Sequence, residues 1–416
     1  MTASFAAAPA DTPTPAPRAR VLYLTKVVPY PPANAGDAVY SRGIIEAIAV
    51  TTDLTVLCAD SGGTIPEDQA RALSWNVAGP QRGGRAGSVL SRWPLIAWKS
   101  ATPEYLARLD QLLTEDWDAI VLDNLGLAHA LPRAERYRAA HPGTRLVYIS
   151  HEYEYPTRAG KYDSYHMSLP KRLVANRDLA KVKASEEAML RAADIVTVIN
   201  TNDLVPFRKI DPDVKYLPLT PGYNGPVSAA RVIGPDTPRR ILLLGGRRSE
   251  QKQQILLDWM EFAYDRINAA GIEMIIAGDM HESLHDTLTR RYPQTQVLGF
   301  VANLEALIAS ARMGVIADTI GGGFKLRLLS HVFERLPMVG LSGAISGLPT
   351  PEGAGYLGAA DLQELITLVC AVCDDTDRLN ALQERAFNDC AEAYAWSARA
   401  EAFTAAVTGQ TDGHLV

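Results

Sequence analysis

Residues 321–348 read GGGFKLRLLSHVFERLPMVGLSGAISGL. This stretch decides the fold, because it has the pattern of a glycine-rich turn, a helix, a buried strand and a second glycine turn. Gly321, Gly322 and Gly323 have no Cβ, so the backbone can turn tightly and a ligand can approach its NH groups. The glycines therefore predict a binding turn at the start of a helix.

The residues after the glycines indicate what such a turn would bind. Lys325 and Arg327 fall in the first turn of a helix predicted over Phe324–Arg335, where cations oppose the helix dipole and an anionic ligand would compensate them. The helix ends at Leu336-Pro337, and Met338–Leu341 follows as a buried parallel strand. This order predicts an open α/β sheet with ligands at the carboxyl ends of its strands. An ordinary βα turn with solvated cations is the alternative.

The residues from 241 to 317 show the same order of strand, glycine turn and helix. Ile241–Leu244 is predicted to be a strand ending in Gly245-Gly246, and Arg247, Arg248 and Lys252 follow before a helix. Cations on a glycine turn beyond a strand form a plausible diphosphate clamp. Further strands are predicted at Glu273–Ala277, Gln296–Leu298 and Gly314–Ala317. Together they predict a doubly wound parallel sheet.

The first half of the chain predicts a second sheet of this kind. Its strands are expected at Val21–Thr25, Leu54–Cys58, Ala119–Asp123, Leu146–Ser150 and Ala192–Val198, with a helix near Ala38–Val50. Gly36 stands just before that helix and could keep the loop low for a ligand, although a plain turn glycine is as compatible. Leu217–Ala230 has the composition of a linker.

His151-Glu152 follows one of these strands at its carboxyl end, where open α/β sheets bind ligands. A neutral imidazole there could hydrogen-bond a substrate hydroxyl or shield a developing charge, and Glu152 could orient it. A structural histidine is the alternative.

Length and charge favour a protein of two domains. The chain has 416 residues, more than one core usually supports. Residues 1–231 have a net charge of +2 and the remainder −8, so the first half is the better candidate for an anionic partner surface. Residues 1–20 lack a signal-peptide pattern and are expected to be disordered. With no membrane-spanning run and four scattered cysteines, we expect a cytoplasmic protein.

Two basic stretches of the first half could contact a membrane. Arg82–Lys99 interleaves four cations with Leu90, Trp93, Leu95, Ile96 and Trp98, a mixture that can lie on an anionic membrane surface. Five more cations lie within residues 171–183. A solvated helix face is the alternative. We expect no nucleic-acid partner.

The order of these pieces resembles the family-4 glycosyltransferases of the GT-B type, over most of Val21–Val407. The matching pieces are GGRRSEQK at residues 245–252, VLGFV at Val297–Val301, GGGFKLRLL, PMVGLSGAISGL, and YAWSARAEAF at residues 394–403. The last piece resembles the family's final helix, which returns to the first domain.

This resemblance implies a GT-B fold of two doubly wound Rossmann-like domains facing a central cleft. The expected boundaries are an acceptor domain over 21–222 with a returning helix at about 394–408, a linker over 223–238, and a donor domain over 239–393. The implied activity is transfer of a sugar from a nucleotide-sugar to a saccharide or lipid-linked acceptor, with retention of configuration and without metal or cofactor. Assembly of a bacterial polysaccharide or glycolipid is the expected setting.

The resemblance also assigns roles to residues. Arg247 and Lys252 match the family's clamp for the donor diphosphate and are catalytic candidates. His151 is the third catalytic candidate. Gly246, Gly321, Gly322, Gly323, Phe324, Lys325 and Ser330 are the expected donor-binding residues, and Gly36 and Glu152 lie on the acceptor side.

One departure from the family concerns its two glutamates, which fall on Gly322 and Ser330. A hydroxyl at Ser330 could hold the donor ribose, whereas Gly322 offers no carboxylate near the sugar. A non-catalytic nucleotide-sugar-binding protein and a nucleotide-sugar epimerase on the same fold are therefore alternatives.

Three other motifs are better explained as structural. His281-Glu282-Ser283-Leu284-His285 matches the zinc-peptidase pattern HExxH, but no third ligand is evident. Cys370 and Cys373 lie in an apolar run and lack a second pair, which favours buried thiols. The aspartate pairs at residues 116 and 118 and at 211 and 213 resemble a metal-binding motif but fall in loops.

Overall fold

A computed structural model describes residues 18–33, 35–163, 167–318, 327–345 and 347–410. These residues form two parallel sheets, one of seven strands and one of six, with helices on both faces of each.

The first sheet has the strand order β3-β2-β1-β4-β5-β6-β7. Its strands are β1 Arg20–Thr25, β2 Asp53–Asp60, β3 Ser74–Pro80, β4 Ala119–Asp123, β5 Arg145–Ser150, β6 Ile195–Val198 and β7 Lys215–Pro218. The intervening helices are α1 Gly36–Ile48, α2 Glu67–Ala72, α3 Ala86–Leu90, α4 Leu95–Ser100, α5 Pro103–Leu112, α6 Leu131–Ala140, α7 Glu154–Asp163, α8 Leu169–Ala192 and α9 Leu204–Ile210, with 3-10 turns at Leu125–Leu127 and Thr201–Asp203.

The second sheet has the order β10-β9-β8-β11-β12-β13. Its strands are β8 Arg240–Leu244, β9 Glu273–Ala277, β10 Gln296–Gly299, β11 Met313–Ile316, β12 Met338–Leu341 and β13 Leu357–Ala359. Its helices are α10 Glu250–Ala269, α11 Glu282–Arg291, α12 Glu305–Ala309, α13 Arg327–Phe333, α14 Leu362–Val372 and α15 Thr376–Cys390, and α16 Trp396–Thr408 follows.

Apolar residues alternate between the two faces of each sheet. In β1, Val21 and Tyr23 pack on one side and Leu22 and Leu24 on the other, and all four are fully buried. A strand that is apolar on both faces needs helices above and below, which is the usual situation of a parallel sheet. The apolar runs of the sequence therefore specify these central strands.

The last helix, α16, packs against α1 of the first sheet. Phe403 is fully buried in the core that also holds Ile44, Ile45 and Ile48. The ring of Trp396 lies where side chains at Gly43 and Gly222 would otherwise be, since a Cβ at Gly43 would lie 2.0 Å from the ring. Glycine at these positions thus lets α16 lie close to the first sheet.

The predicted α/β class with two parallel sheets is confirmed, and the predicted central strands are present with ends shifted by three residues at most. Three strands were not predicted, β3, β7 and β13, and each lies at the edge of its sheet. The linker predicted at Leu217–Ala230 was wrong at its start, because Leu217 belongs to β7. Residues 219–239 connect the sheets without helix or strand.

The described part of the helix predicted over Phe324–Arg335 ends at Phe333, two residues early. Arg335 has a positive φ of 57°, which closes the turn before Pro337. No helix within the described residues combines the length and apolar character needed to cross a bilayer.

Candidate active site

The second sheet reverses its strand order between β8 and β11, and open α/β sheets bind ligands at such a point. Glycines at this edge leave the turns after the strands without side chains. Gly245 and Gly278 follow β8 and β9 with φ of +126° and +147°, and a Cβ at Gly278 would lie 2.1 Å from the carbonyl oxygen of Gly245. Only glycine fits this approach of two chain segments.

Arg247 comes next and is buried. Its guanidinium donates hydrogen bonds to the carbonyls of Gly245 and Leu243, and its backbone NH donates to the carbonyl of Asp279 at 2.6 Å. Burial, and then the nearby Arg327, lower the pKa of Arg247 to about 10. The side chain is therefore fixed in direction and still charged at neutral pH.

Arg327, the first residue of α13, lies over the same glycine turn. One of its nitrogens is 3.3 Å from the position that a Cβ at Gly245 would take, and it forms an ion pair with Asp318, which follows β11. Burial lowers the pKa of Arg327. Arg327 was predicted to lie in the first turn of a helix. Its position beside Arg247 was not predicted.

Lys252 lies in the first turn of α10 and is exposed. Partial burial and the charges of Arg327 and Arg247 lower its pKa. Among the described residues, one carboxylate forms an ion pair with this cluster of three cations, namely Asp318 with Arg327. The cluster therefore has an excess of positive charge, and an anion would relieve the mutual repulsion.

The predicted donor-binding residues are only partly described. Gly246 is exposed on the β8 turn, where a Cβ would meet no atom nearer than 3.7 Å. Gly321, Gly322, Gly323, Phe324 and Lys325 lie outside the described residues.

Ser330 lies on α13 beside Tyr223, a residue of the segment that connects the two sheets. Burial raises the pKa of Tyr223 to about 12, and a hydrogen bond with Ser330 opposes that rise. The Tyr223 ring stacks on Phe333 at a centroid distance of 4.4 Å. In this structure the Ser330 hydroxyl thus faces the connecting segment.

The first sheet has its own reversal of strand order, between β1 and β4, and a second polar group lies close to it. His151 follows β5, and its Nε2 lies 2.7 Å from Oδ1 of Asp123 at the end of β4. Asp123 is 1% exposed. Because a carboxylate accepts, Nε2 carries the proton, and the buried Nδ1 has no partner among the described residues. The pair fixes the imidazole ring.

Other residues surround this pair. The ring of Tyr40 meets His151 edge-on at 5.0 Å between centroids. Lys26, after β1, contacts Asp37 at 2.7 Å, immediately after Gly36 at the start of α1. Burial alone would raise the pKa of Asp37, but Lys26 and His151 hold it below its usual range. Gly36 therefore lies at the same edge as His151.

The expectation that Glu152 orients His151 was wrong, because Asp123 makes that contact. Glu152 lies 3.9 Å from Lys161, and burial together with Glu154 raises its pKa. Asp123 was detectable in the sequence: it ends a predicted strand, and neighbouring parallel strands bring their carboxyl ends together.

The start of α7, directly after His151, is held by Glu186 of α8. The buried Glu186 carboxylate accepts from the backbone NH groups of Glu154 at 2.8 Å and Tyr155 at 3.0 Å. Burial outweighs these two donors and raises the pKa of Glu186 to about 8. No local sequence pattern indicated this long-range helix cap.

The HExxH stretch at residues 281–285 makes a side-chain contact with the backbone. His281 precedes α11, and Nε2 of His285 lies 3.2 Å from the carbonyl oxygen of Val297. In the part of the chain that the structure describes, no group of three or more His, Cys, Asp or Glu residues is arranged to hold a metal ion.

No family profile matches the chain, and no curated protein sequence matches it. Several solved structures are similar to the chain. Sucrose-phosphate synthase from Thermosynechococcus elongatus is similar at 15% identity and a TM-score of 0.64, over 94% of this chain and 99% of its own. HepE from Anabaena, in complex with UDP and glucose, is similar at 15% identity and a TM-score of 0.59, over 94% and 100%. The pneumococcal O-GlcNAc transferase GtfA is similar at 10% identity and a TM-score of 0.59, over 94% and 99%. The chain therefore has the GT-B fold of two Rossmann-like domains.

Proposed function

We propose that the protein is a glycosyltransferase of the hexosyltransferase type. It moves a sugar from a nucleoside-diphosphate sugar to an acceptor with retention of configuration and without metal. The observation that carries the proposal is that Arg247 and Arg327 meet at the glycine turn after β8, at the strand-order reversal of the second sheet, with Lys252 close enough for their charges to lower its pKa.

The charges of this cluster suit a departing nucleoside diphosphate. As the bond between the anomeric carbon and the phosphate oxygen breaks, negative charge accumulates on the diphosphate. Fixed cations stabilise that charge more than they stabilise the bound donor, which lowers the barrier. Arg247 is preorganised for this role, because two backbone carbonyls hold its guanidinium.

Retention needs no separate side-chain base in a front-face mechanism. The acceptor oxygen forms its bond to the anomeric carbon on the side from which the diphosphate leaves, and the proton of the acceptor hydroxyl passes to an oxygen of the departing diphosphate. His151, held by Asp123, is placed to orient a hydroxyl or shield the developing positive charge of the sugar.

In this proposal residues 239–393 form the donor domain. Residues 21–222, with the helix at about 394–408, form the acceptor domain, and 223–238 link them. The complexes of HepE with UDP and with UDP-glucose support a nucleotide-sugar donor. The donor contacts would also include Gly246 and Ser330.

A non-catalytic nucleotide-sugar-binding protein is the second candidate. It is favoured by Gly322 and Ser330, which stand where the family has its glutamates. Such a protein would bind a nucleotide-sugar through the same cations without consuming it. An epimerase on this fold is a third, minor candidate.

A panel of nucleotide-sugars separates the candidates. We expect one donor to raise the melting temperature of the purified protein and to release nucleoside diphosphate slowly, and we expect Arg247→Ala/Lys252→Ala to lose both responses. Stabilisation without release, even with saccharide acceptors present, would favour the binding protein. Conversion of the sugar without release would identify an epimerase.

Asp123→Asn tests the role of the first sheet. The substitution removes the carboxylate that holds His151, so the imidazole is no longer fixed where it can orient the reactants, and we expect turnover to fall about 10-fold or more. The thermal shift given by the donor should persist, because Asp123 lies on the other sheet from the cations. Loss of the shift together with turnover would assign Asp123 to folding.

We also propose that the protein works at the cytoplasmic face of a membrane, in polysaccharide or glycolipid assembly with a saccharide or lipid-linked acceptor. The support is that the two basic stretches of the first half lie side by side, since Lys181 of α8 donates to the carbonyl of Ser88 in α3 at 2.7 Å. A protein that stays in the supernatant with anionic vesicles at low salt would contradict attachment.

A further inference from the structure

The first half of α8 stands away from the core. No side chain between Leu169 and Lys181 is buried, whereas buried residues recur from Val182 onward. Three leucines of α8 and the neighbouring α3 are largely exposed: Leu90 by 91%, Leu169 by 80% and Leu173 by 71%. Leu169 and Leu173 are four residues apart and so share one face of the helix. Such a group of exposed leucines indicates an interaction surface.

We call α3, α4 and residues 169–181 of α8 the amphipathic shoulder. Its parts are joined by hydrogen bonds: Arg177 donates to the carbonyl of Val89 at 3.0 Å, and Asp178 accepts from the backbone NH of Leu95 at 2.7 Å. The three segments therefore form one surface.

The amphipathic shoulder has five basic side chains and one acidic one, namely Lys99, Lys171, Arg172, Arg177 and Lys181 against Asp178. Its Trp98 lies beneath the guanidinium of Arg82, at 5.4 Å from the ring centroid. Cations around exposed leucines, with an indole beside them, suit an anionic bilayer, where apolar groups enter the hydrocarbon and cations meet phosphates.

A cavity of about 510 Å³ opens within the amphipathic shoulder, between α3 and α4 on one side and α7 and α8 on the other. Its lining is mostly apolar and includes Val89, Leu95, Val174 and Ala175. Five charged side chains also line it, namely Arg85, Lys171, Arg177, Asp178 and Lys181. The volume lies within the range of small-molecule sites. Apolar side chains beside four basic ones match an alkyl chain that carries an anionic head.

We propose that the amphipathic shoulder docks on an anionic phospholipid bilayer, with Leu90, Leu169 and Leu173 entering the membrane, and that its cavity holds an acyl chain of one lipid. The proposal rests on the membrane attachment proposed above and names the surface that performs it. The docked lipid is distinct from the donor, whose site lies on the second sheet.

The docking is tested by pelleting with vesicles of phosphatidylcholine alone or mixed equally with phosphatidylglycerol. We expect binding only to the mixed vesicles, weakened by salt. The triple variant Leu90→Ser/Leu169→Ser/Leu173→Ser should bind at least about 10-fold more weakly, since each leucine loses apolar burial. The matched control Val227→Ser/Val232→Ser/Phe262→Ser, on exposed apolar residues outside the amphipathic shoulder, should bind as the wild type does.

Equal binding by the wild type and the triple variant would overturn the proposal and move attachment to another surface. A wild-type dimer that becomes monomeric in the triple variant would also overturn it, because the leucines would then join two protein copies. Both variants should keep the donor thermal shift and nucleotide release. A failure here therefore leaves the glycosyltransferase proposal intact, and the reverse also holds.

The cavity is tested with a monomeric short-chain phosphatidylglycerol by titration calorimetry. We expect saturable binding by the wild type, lost in Ala175→Phe, which places a ring in the cavity. Ala180→Phe, on the same helix but outside this cavity, should retain binding. Equal binding by both variants, or none by the wild type, would remove the acyl chain from the proposal.

Discussion

Lys252→Ala is expected to lower turnover on the order of 10²-fold or more, a loss typical of removing one preorganised charge. Lys252 lies at the start of α10 with Arg247 and Arg327 close enough to lower its pKa. Three cations so placed repel one another until an anion arrives, and the developing charge of the departing diphosphate is the strongest anion in the proposed reaction.

The neighbouring Arg248 was predicted together with the cations of the clamp, but it pairs with Asp279 instead and so provides the matched control. It is exposed and forms an ion pair with Asp279, outside the cation cluster. Arg248→Ala should therefore keep turnover within a few-fold of wild type, as surface ion pairs contribute little. The measurement is the rate of nucleoside diphosphate release from the donor found in the panel. Near-normal release by Lys252→Ala would remove Lys252 from the clamp.

Phe403→Ala is expected to cost about 3 kcal/mol or more of the free energy of unfolding, the usual range for truncating a buried Phe. Phe403 is fully buried between α16 and the first sheet, beside Ile44 and Ile48 of α1. The cavity left by the ring would weaken the packing that brings the chain's last helix back to the first sheet.

Phe262→Ala is the control for this loss. Phe262 is 47% exposed on α10, so its truncation should cost less than about 1 kcal/mol. Urea unfolding followed by circular dichroism compares the two variants with the wild type. Equal midpoints for Phe403→Ala and the wild type would show that α16 adds little to the stability of the first sheet.

The central strands could be predicted because they are buried on both faces. β4 and β9 were predicted to the residue, since continuous apolar runs bounded by turn residues leave little choice. The edge strand β13 has three residues, and its Leu357 is only half-buried. Such strands depend on pairing with a neighbour, which sequence periodicity does not report.

Some site residues could also be predicted from the sequence, and others could not. Arg247 and Lys252 could be proposed from the local pattern of a strand, a glycine turn and cations. The contact of Asp123 with His151 joins residues 28 positions apart at the ends of two neighbouring strands, so it follows from the order of strands in the sheet. The ion pair of Arg327 with Asp318 instead lies within the connection from β11 to α13. Once that order is known, the carboxyl ends on either side of the reversal become the places to search.

The most direct test of the proposed function is the release of nucleoside diphosphate from a panel of nucleotide-sugars by the wild type and by Arg247→Ala/Lys252→Ala. The proposal predicts that the wild type consumes one donor, faster once an acceptor is supplied, and that the double variant consumes none at a comparable rate. Equal release by the two proteins would contradict the role of the cation cluster. Absence of both binding and release across the panel would contradict the proposed function itself.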